Sequence, residues 1–474
     1  MIASFLFFLI AFLIIGLLSA RVKQDTRKDY YMAGLAVRPW LVGLSAVATN
    51  LSGYMFIGLI GYTYVVGLSS AWLMIGWIGG DFITSMFIHR NLHRQTETHK
   101  QLSYAGALSH WNGTNFRYVQ VLAAILIIIL LLTYSSAQMI AGSKALYVIL
   151  GWPETAGAAI CAIMIAFYCF AGGIRASIWT DAAQSFVMVI AMAVMLWTGI
   201  AGLGGVHNVL AQLDKIDNFM DWFPKDLPIP GVTGALLFAT GWMFGGVSII
   251  GQPHIMIRFM VLDDRENFNR ARYWYYGWYI VFYFMATCVG LLSRLYLPDT
   301  GSFDAELALP LIATQTLPPV MVGLVLAGLF AATMSTADSL ILSTSAAITQ
   351  DLSPNGIHKL SLVKATTLLT TALALVIALA GSQSVFNIVI FAWSGLGASF
   401  APLLLVYALG KKPGQVTIIL MMLAGFATVI IWRQLGWHQY VYEGMPGIGA
   451  GLLVYLVSDL VKKQIGLPAI KTNL

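Results

Sequence analysis

Residues 331–345 read Ala-Ala-Thr-Met-Ser-Thr-Ala-Asp-Ser-Leu-Ile-Leu-Ser-Thr-Ser, inside an apolar block that runs from 319 to 349. A block of that length is enough to cross a hydrocarbon core of about 30 Å as a helix. Ser335, Asp338 and Ser339 follow at i, i+3 and i+4, so their oxygens share one helix face. Ionisable residues at bilayer depth are costly and usually functional. Hard cations are held by oxygen ligands, so this face suits sodium. The competing reading is that Ser and Thr bond back to their own helix or glue helices together. Asp338 inside the cluster favours ion binding.

The rest of the chain reads the same way. Of its 474 residues 59% are hydrophobic and only 10% charged, whereas soluble chains carry about 25% charged residues. The apolar residues come in long blocks, which predicts an all-α membrane protein with thirteen transmembrane helices. They lie roughly at 2–20, 39–67, 69–90, 117–148, 154–172, 176–203, 231–255, 272–297, 319–349, 362–381, 385–409, 414–433 and 446–463. The first block has no basic residue ahead of it and Arg21, Lys23, Arg27 and Lys28 behind it. It therefore reads as a retained span with the N-terminus outside and, after an odd number of crossings, the C-terminus inside. On that topology all of the 26 basic residues but Lys144, Lys215, Lys225, Arg294 and Arg433 fall on the inner side, Lys471 among them. Anionic lipid is partner enough for the net charge of +6, and no nucleic acid is implied. Cys161, Cys169 and Cys288 sit in apolar blocks and read as packing residues. Residues 101–112 suit a short interfacial helix on the inner side, and 205–227 an outer surface segment with Trp222 and Phe223.

Two spans carry breakers. Span 2 holds Thr49-Asn50-Leu51-Ser52-Gly53 and span 7 holds Gly245-Gly246-Val247-Ser248. Transporters built from inverted repeats often have a broken first helix in each half, with the site at the midplane. The alternative is that these are packing glycines. Asp81 in span 3 and Asp181 in span 6 are further carboxylates at bilayer depth, Asp81 with its role open, since pairing to a neighbouring helix would also explain it. Lys144 reads as snorkelling to the outer surface, Trp179 as an interface anchor, and His254 as a structural or hinge residue at an inner helix end.

Five stretches together resemble the sodium:solute symporter family, its sodium/proline branch in particular. They are 44–53 (LSAVATNLSG), 172–184 (GGIRASIWTDAAQ), 251–260 (GQPHIMIRFM), 326–352 (LAGLFAATMSTADSLILSTSAAITQDL) and 391–402 (FAWSGLGASFAP). The resemblance implies the leucine-transporter-type fold: a five-plus-five inverted repeat with one extra N-terminal and two extra C-terminal helices. The chain then divides into 1–38 (first helix and inner loop), 39–204 (first repeat), 205–230 (outer segment), 231–409 (second repeat) and 410–474 (two helices and a short cytoplasmic tail). It implies a sodium site made by the backbone oxygens of Ala48, Leu51 and Ala332 and the hydroxyls of Ser335 and Thr336. A second sodium site, known from some members, would fall on Asp181, Asp338 and Ser339. Solute contacts would come from Ser52, Gly53, Tyr54, Gln138, Gly245, Ser248, Trp393 and Ser394. Two departures bear on the solute. The proline branch often has an acidic residue where this chain has Asn50, and aromatic residues where it has Gly245 and Ile249.

The function expected is sodium-coupled import of a small organic solute, proline or a related amino acid, by alternating access. Sodium is the coupling ion and no other cofactor is implied. The protein would work as a monomer in a bacterial inner membrane. A monocarboxylate, pantothenate or a sugar is the alternative solute. A sensor reading finds no kinase-like segment after residue 463, and an enzyme reading finds no nucleophile–His pair or metal-ligand cluster.

Overall fold

The structure is a computed structural model that describes residues 1–19, 26–111, 113–353, 357–381 and 384–464. Ala20, Arg21, Lys23, Asn112 and Lys471 therefore fall outside the described residues. Among those described there is no β-sheet, and eleven helices are long and apolar enough to cross a membrane. This is the arrangement lipid imposes, because helices satisfy every backbone polar group internally. The expected thirteen segments are all helical, but two are shorter pieces. Pro39–Asn50 is cut off by a break, and Glu154–Phe167 is a short apolar helix.

We number thirteen helical units. They are α1 (Ile2–Ser19), α2 (Pro39–Asn50, continued by Ser52–Tyr54, Met55–Leu59 and Ile60–Val66), α3 (Ala71–His99), α4 (Arg117–Leu150), α5 (Glu154–Phe167) and α6 (Gly173–Gly202). Then follow α7 (Gly231–Val247, a 3-10 turn Ser248–Gly251, and Pro253–Met260), α8 (Phe268–Tyr296), α9 (Pro319–Ala346), α10 (Leu360–Ala380), α11 (Val385–Ala408), α12 (Gln415–Gln434) and α13 (Gly444–Gln464).

Burial orders them into two shells. The most apolar stretches of α9 and α11 are 83% buried, those of α1 and α13 only 28% and 22%. The outer helices turn Phe7, Leu369, Leu420 and Leu453 outward, as a lipid-facing surface requires. The polar stretch of α9 therefore lies at the centre of the bundle, with no lipid contact.

The chain kinks between α5 and α6 at Gly173, whose φ of 58° and ψ of −145° favour glycine. A Cβ there would meet the Tyr30 carbonyl at 2.4 Å. Tyr30 belongs to the short helix Arg27–Met32, held by the Arg175–Asp29 ion pair at 2.5 Å. The helix expected in 101–112 forms as Tyr104–Ser109 and is buried against the bundle. Its N-cap Ser103 donates to Asp351, and Tyr104 reaches the Ile250 carbonyl at 2.7 Å. In the outer segment Val206–Leu213 is helical, and Val209, Leu213 and Phe219 pack on Leu291 and Leu292.

Lys144 does not snorkel. Its ammonium is buried between Asp304 and Glu306, each at 2.6 Å. Glu306 also accepts from the Val385 and Phe386 N–H groups at 3.0 and 2.8 Å. The α11 N-terminus thus meets a carboxylate, favourable for its dipole.

Candidate ion and solute site

The break in α2 falls at Leu51, with φ −74° and ψ 6°. The last carbonyls of a helix have no partner within it, and here α9 supplies them. Ser335 Oγ lies 3.0 Å from the Ala48 carbonyl and 3.1 Å from that of Ala332. Thr336 Oγ1 donates to the Thr49 carbonyl at 2.8 Å. Ala48, Ala332, Ser335 and Thr336 are thus brought together, fully buried, with Leu51 as the residue that breaks the helix. Each oxygen is a hard donor suited to sodium.

One helical turn further along α9 the set Asp181, Asp338 and Ser339 also assembles, but around a group the sequence reading did not include. Arg258, from the half of α7 beyond its break, is completely buried. Its Nη2 lies 3.2 Å from Asp181 Oδ2 and 2.5 Å from Ser177 Oγ, and it also bonds Ser339 Oγ. Its Nε donates to Ser45 Oγ at 3.3 Å and its Nη1 to the His254 carbonyl at 3.2 Å. Ser45 in turn donates to Asp181 Oδ2 at 2.6 Å, while Ser177 and Ser339 lie 3.0 and 2.9 Å from Asp338 Oδ1. Thr49 joins the two levels. Its hydroxyl is 3.4 Å from Asp181 and 3.3 Å from Ser339, while its carbonyl accepts from Thr336.

The expected solute residues gather around the next turns of α2, beyond the Ala48–Ser335 level. Gly53 N–H donates to Gln138 Oε1 at 2.8 Å, and Tyr134 OH to Ser52 Oγ at 3.3 Å. Trp393 Nε1 donates to the Gly245 carbonyl at 2.9 Å. The Trp77 ring lies between the two groups, 6.1 Å from Tyr54 and 5.2 Å from Trp393. Four buried donors here have no hydrogen-bond partner: Tyr54 OH, Trp77 Nε1, Ser135 Oγ and Gln138 Nε2. A buried polar group left unpaired costs about 1–3 kcal/mol.

The α7 break is displaced from its expected position. The helix runs on through Gly245 and Gly246 and opens at Ser248–Gly251, with Gln252 extended at ψ 101°. Gly246 is a packing glycine, since a Cβ there would meet the Trp77 carbonyl at 2.1 Å. The break belongs to Pro253, which has no N–H and drives the residue before it out of the helical region.

Two contacts reach this region from the α12–α13 connection, which carried no signal in the sequence. Tyr442 OH donates to Ser248 Oγ at 3.1 Å, and Glu443 Oε1 accepts from Ser394 Oγ at 3.2 Å. Both residues line a cavity of about 900 Å³ together with Tyr62, Trp242, Phe386 and Arg433. Toward the opposite face, a cavity of only about 20 Å³ lies among Tyr31, Tyr104, Pro253, Arg258 and Asp351. The large cavity meets the site through Tyr442 and Glu443, and the small one meets the Asp181–Asp338 level through Arg258.

Asp81 is buried. Tyr275, Tyr276 and Arg272 of α8 are the polar groups around it, and Tyr275 OH accepts from Asn50 at 2.7 Å. His254 is buried at the start of Pro253–Met260, its ring edge-on to Tyr134 at 5.4 Å.

A bundle with discontinuous helices and oxygens gathered at the break is the architecture of a secondary transporter. The sequence profile of the sodium:solute symporter family matches residues 30–415, and the chain belongs to that family. It is 30% identical over 92% of its length to the high-affinity proline transporter PutP of Bacillus subtilis (strain 168), covering 93% of that protein. It is 28% identical over 98% of its length to the sodium/proline symporter of Escherichia coli (strain K12), again covering 93% of it. Among solved structures, a Na+-coupled sialic acid symporter in a substrate-bound outward-open state superimposes with a TM-score of 0.81 at 17% identity, covering 97% of each chain. The nucleobase-cation-symport-1 transporter Mhp1 gives 0.58 at 14% identity, over 93% of this chain and 96% of that one. The fold is accordingly of the leucine-transporter type. The chain is a multi-pass membrane protein of a transporter family that couples solute movement to sodium.

Proposed function

We propose that the chain imports a small amino acid, proline first, together with sodium across a bacterial inner membrane. The N-terminus lies outside, the C-terminus lies in the cytoplasm, and the monomer is the working unit. In this reading thirteen spans form two inverted five-helix repeats, α2–α6 and α7–α11, with the large cavity facing outside. Sodium sits among the Ala48, Leu51 and Ala332 carbonyls and the Ser335 and Thr336 hydroxyls. The solute lies between Ser52, Gly53, Tyr54 and Gln138 on one side and Gly245, Ser248, Trp393 and Ser394 on the other.

One observation carries the reading: the Ser335 and Thr336 hydroxyls of α9 meet the carbonyls freed by the α2 break. An ion there ties the two helices together and fixes the broken segment, which is also one wall of the solute pocket. The four unpaired donors favour a solute with a carboxylate. One sodium entering down 100 mV releases about 2.3 kcal/mol, and about 1.4 kcal/mol is a tenfold ratio. The potential alone can therefore concentrate a zwitterion well over tenfold.

The test is uptake of radiolabelled proline into proteoliposomes, with sodium or choline outside and proline, lactate, pantothenate and glucose as competitors. Ser335→Ala and Thr336→Ala should each raise the sodium concentration for half-maximal uptake about tenfold, equivalent to about 1.4 kcal/mol. Uptake by both variants with the unaltered protein's sodium dependence rejects the ion site. Competition by another solute in place of proline changes the solute and leaves the ion site standing.

A further inference from the structure

We infer that Arg258 is a tethered cation: its guanidinium holds the second cation position, and the transport cycle runs on a single exchangeable sodium ion. The inference deepens the sodium-coupled reading above and rests on it.

The position is a cation cage by every measure but its occupant. Asp181, Asp338, Ser177, Ser339 and Ser45 come from α2, α6 and α9 and are all buried. Oxygens of this kind would serve a hard cation. The guanidinium, with its five N–H donors, already meets five oxygens: Ser45 Oγ, Ser177 Oγ, Asp181 Oδ2, Ser339 Oγ and the His254 carbonyl. A side chain that keeps its charge at any working pH thus occupies four of the cage's oxygens, those of Ser45, Ser177, Ser339 and Asp181 Oδ2. Sodium at those four oxygens would have to expel it, and an expelled guanidinium would have to find other partners in a closed interior.

Charge explains why the neighbouring level is left for a mobile ion. With both carboxylates ionised, two negative charges against one guanidinium leave the cage with one negative charge uncompensated. Thr49 links the cage to the carbonyls that meet Ser335 and Thr336 one turn outward. A sodium ion at that outer level supplies the missing positive charge a few ångströms away, where low dielectric strengthens the attraction. Arg258 also belongs to Pro253–Met260, the half of α7 beyond the break, which lines the small closed cavity on the inner side. The cage therefore ties that half-helix to α2, α6 and α9 while the outer side is open. It must be left or rearranged when the inner path opens.

The experiment is a thermal melt of the purified full-length protein in detergent across a sodium chloride series, with choline chloride holding ionic strength constant. The slope of Tm against log sodium grows with the number of ions the folded state binds. The unaltered protein should give a one-ion slope. Arg258→Met leaves the buried carboxylates facing each other, which cannot both stay ionised without a cation, and its slope should rise about twofold. Asp338→Asn added to Arg258→Met should bring the slope back to one ion, and Arg258→Lys should keep it there. An unchanged slope in Arg258→Met overturns the assignment. So does a reversal-potential measurement in proteoliposomes with proline that gives two charges per solute for the unaltered protein; that measurement decides the matter where Arg258→Met does not fold. Absence of any sodium effect on the unaltered protein would strike the sodium-coupled reading itself, a result distinguishable from either.

Discussion

Two levels of the same helix junction, one turn apart on α9, use nearly the same chemistry to different ends. At Ser335 and Thr336, neutral hydroxyls donate to the carbonyls of a broken helix. At the next turn the Ser339 hydroxyl and Asp181 Oδ2 meet the guanidinium of Arg258, with Asp338 reached through Ser339. The outer level holds no formal charge, so its oxygens can turn to an arriving ion and turn back when it leaves. The inner level has its cation built in and cannot release it. The difference teaches that oxygen ligands alone do not make an exchangeable ion site. What decides is whether a covalently attached charge already occupies them.

The comparison can be broken most forcefully at the inner level. Asp181→Ala leaves Arg258 buried without its ion-pair partner, a change that costs about 3–5 kcal/mol where it has been measured. The purified variant should melt far below the unaltered protein in sodium-free buffer, or fail to accumulate. A loss under about 1 kcal/mol would mean that the cage is loose and solvated, and that the two levels do not differ as described.

Gln138→Leu should leave both levels intact and act on the solute. It removes an unpaired donor and the acceptor for Gly53 N–H. The KM for proline should rise about tenfold, as expected for losing a hydrogen bond to a charged group. The slope of Tm against log sodium should not move; if it does, pocket and ion level are not separable.

The smallest effect sharpens the link between the levels. Thr49→Val keeps the shape and removes a hydroxyl that lies near both Asp181 and Ser339. A net loss of about 0.5–1.5 kcal/mol corresponds to a severalfold rise in the sodium needed for half-maximal uptake, with the melt in choline nearly unchanged. A shift confined to the melt would make Thr49 a packing residue.

Ser335, Thr336, Asp338 and the α2 breaker segment were legible in the sequence because residue type and helical spacing suffice there. Polar oxygens in an apolar block have few places to go, and the interior is one. Gly245-Gly246 misled because a small residue serves close packing as well as it serves a break. The nitrogen of Pro253, which carries no hydrogen to donate, decided the matter, and its effect on the residue before it is local. Lys144 misled because its partners, Asp304 and Glu306, are more than 150 residues away along the chain. Trp77, Tyr442 and Glu443 carried no local mark at all.

By itself the sequence determined that the chain is a membrane-embedded helical bundle with hard oxygen ligands at mid-depth. Hydropathy, span length and helical periodicity are properties of neighbouring residues and need no fold to be read. Only the tertiary structure decided which oxygens meet the carbonyls of a broken helix and which meet a cation. Arg258 reaches Asp181, Ser339 and Ser45 by packing three distant segments together. Whether a buried charge is compensated depends on that packing, because electrostatic balance in a low-dielectric interior is set by what lies within a few ångströms in space.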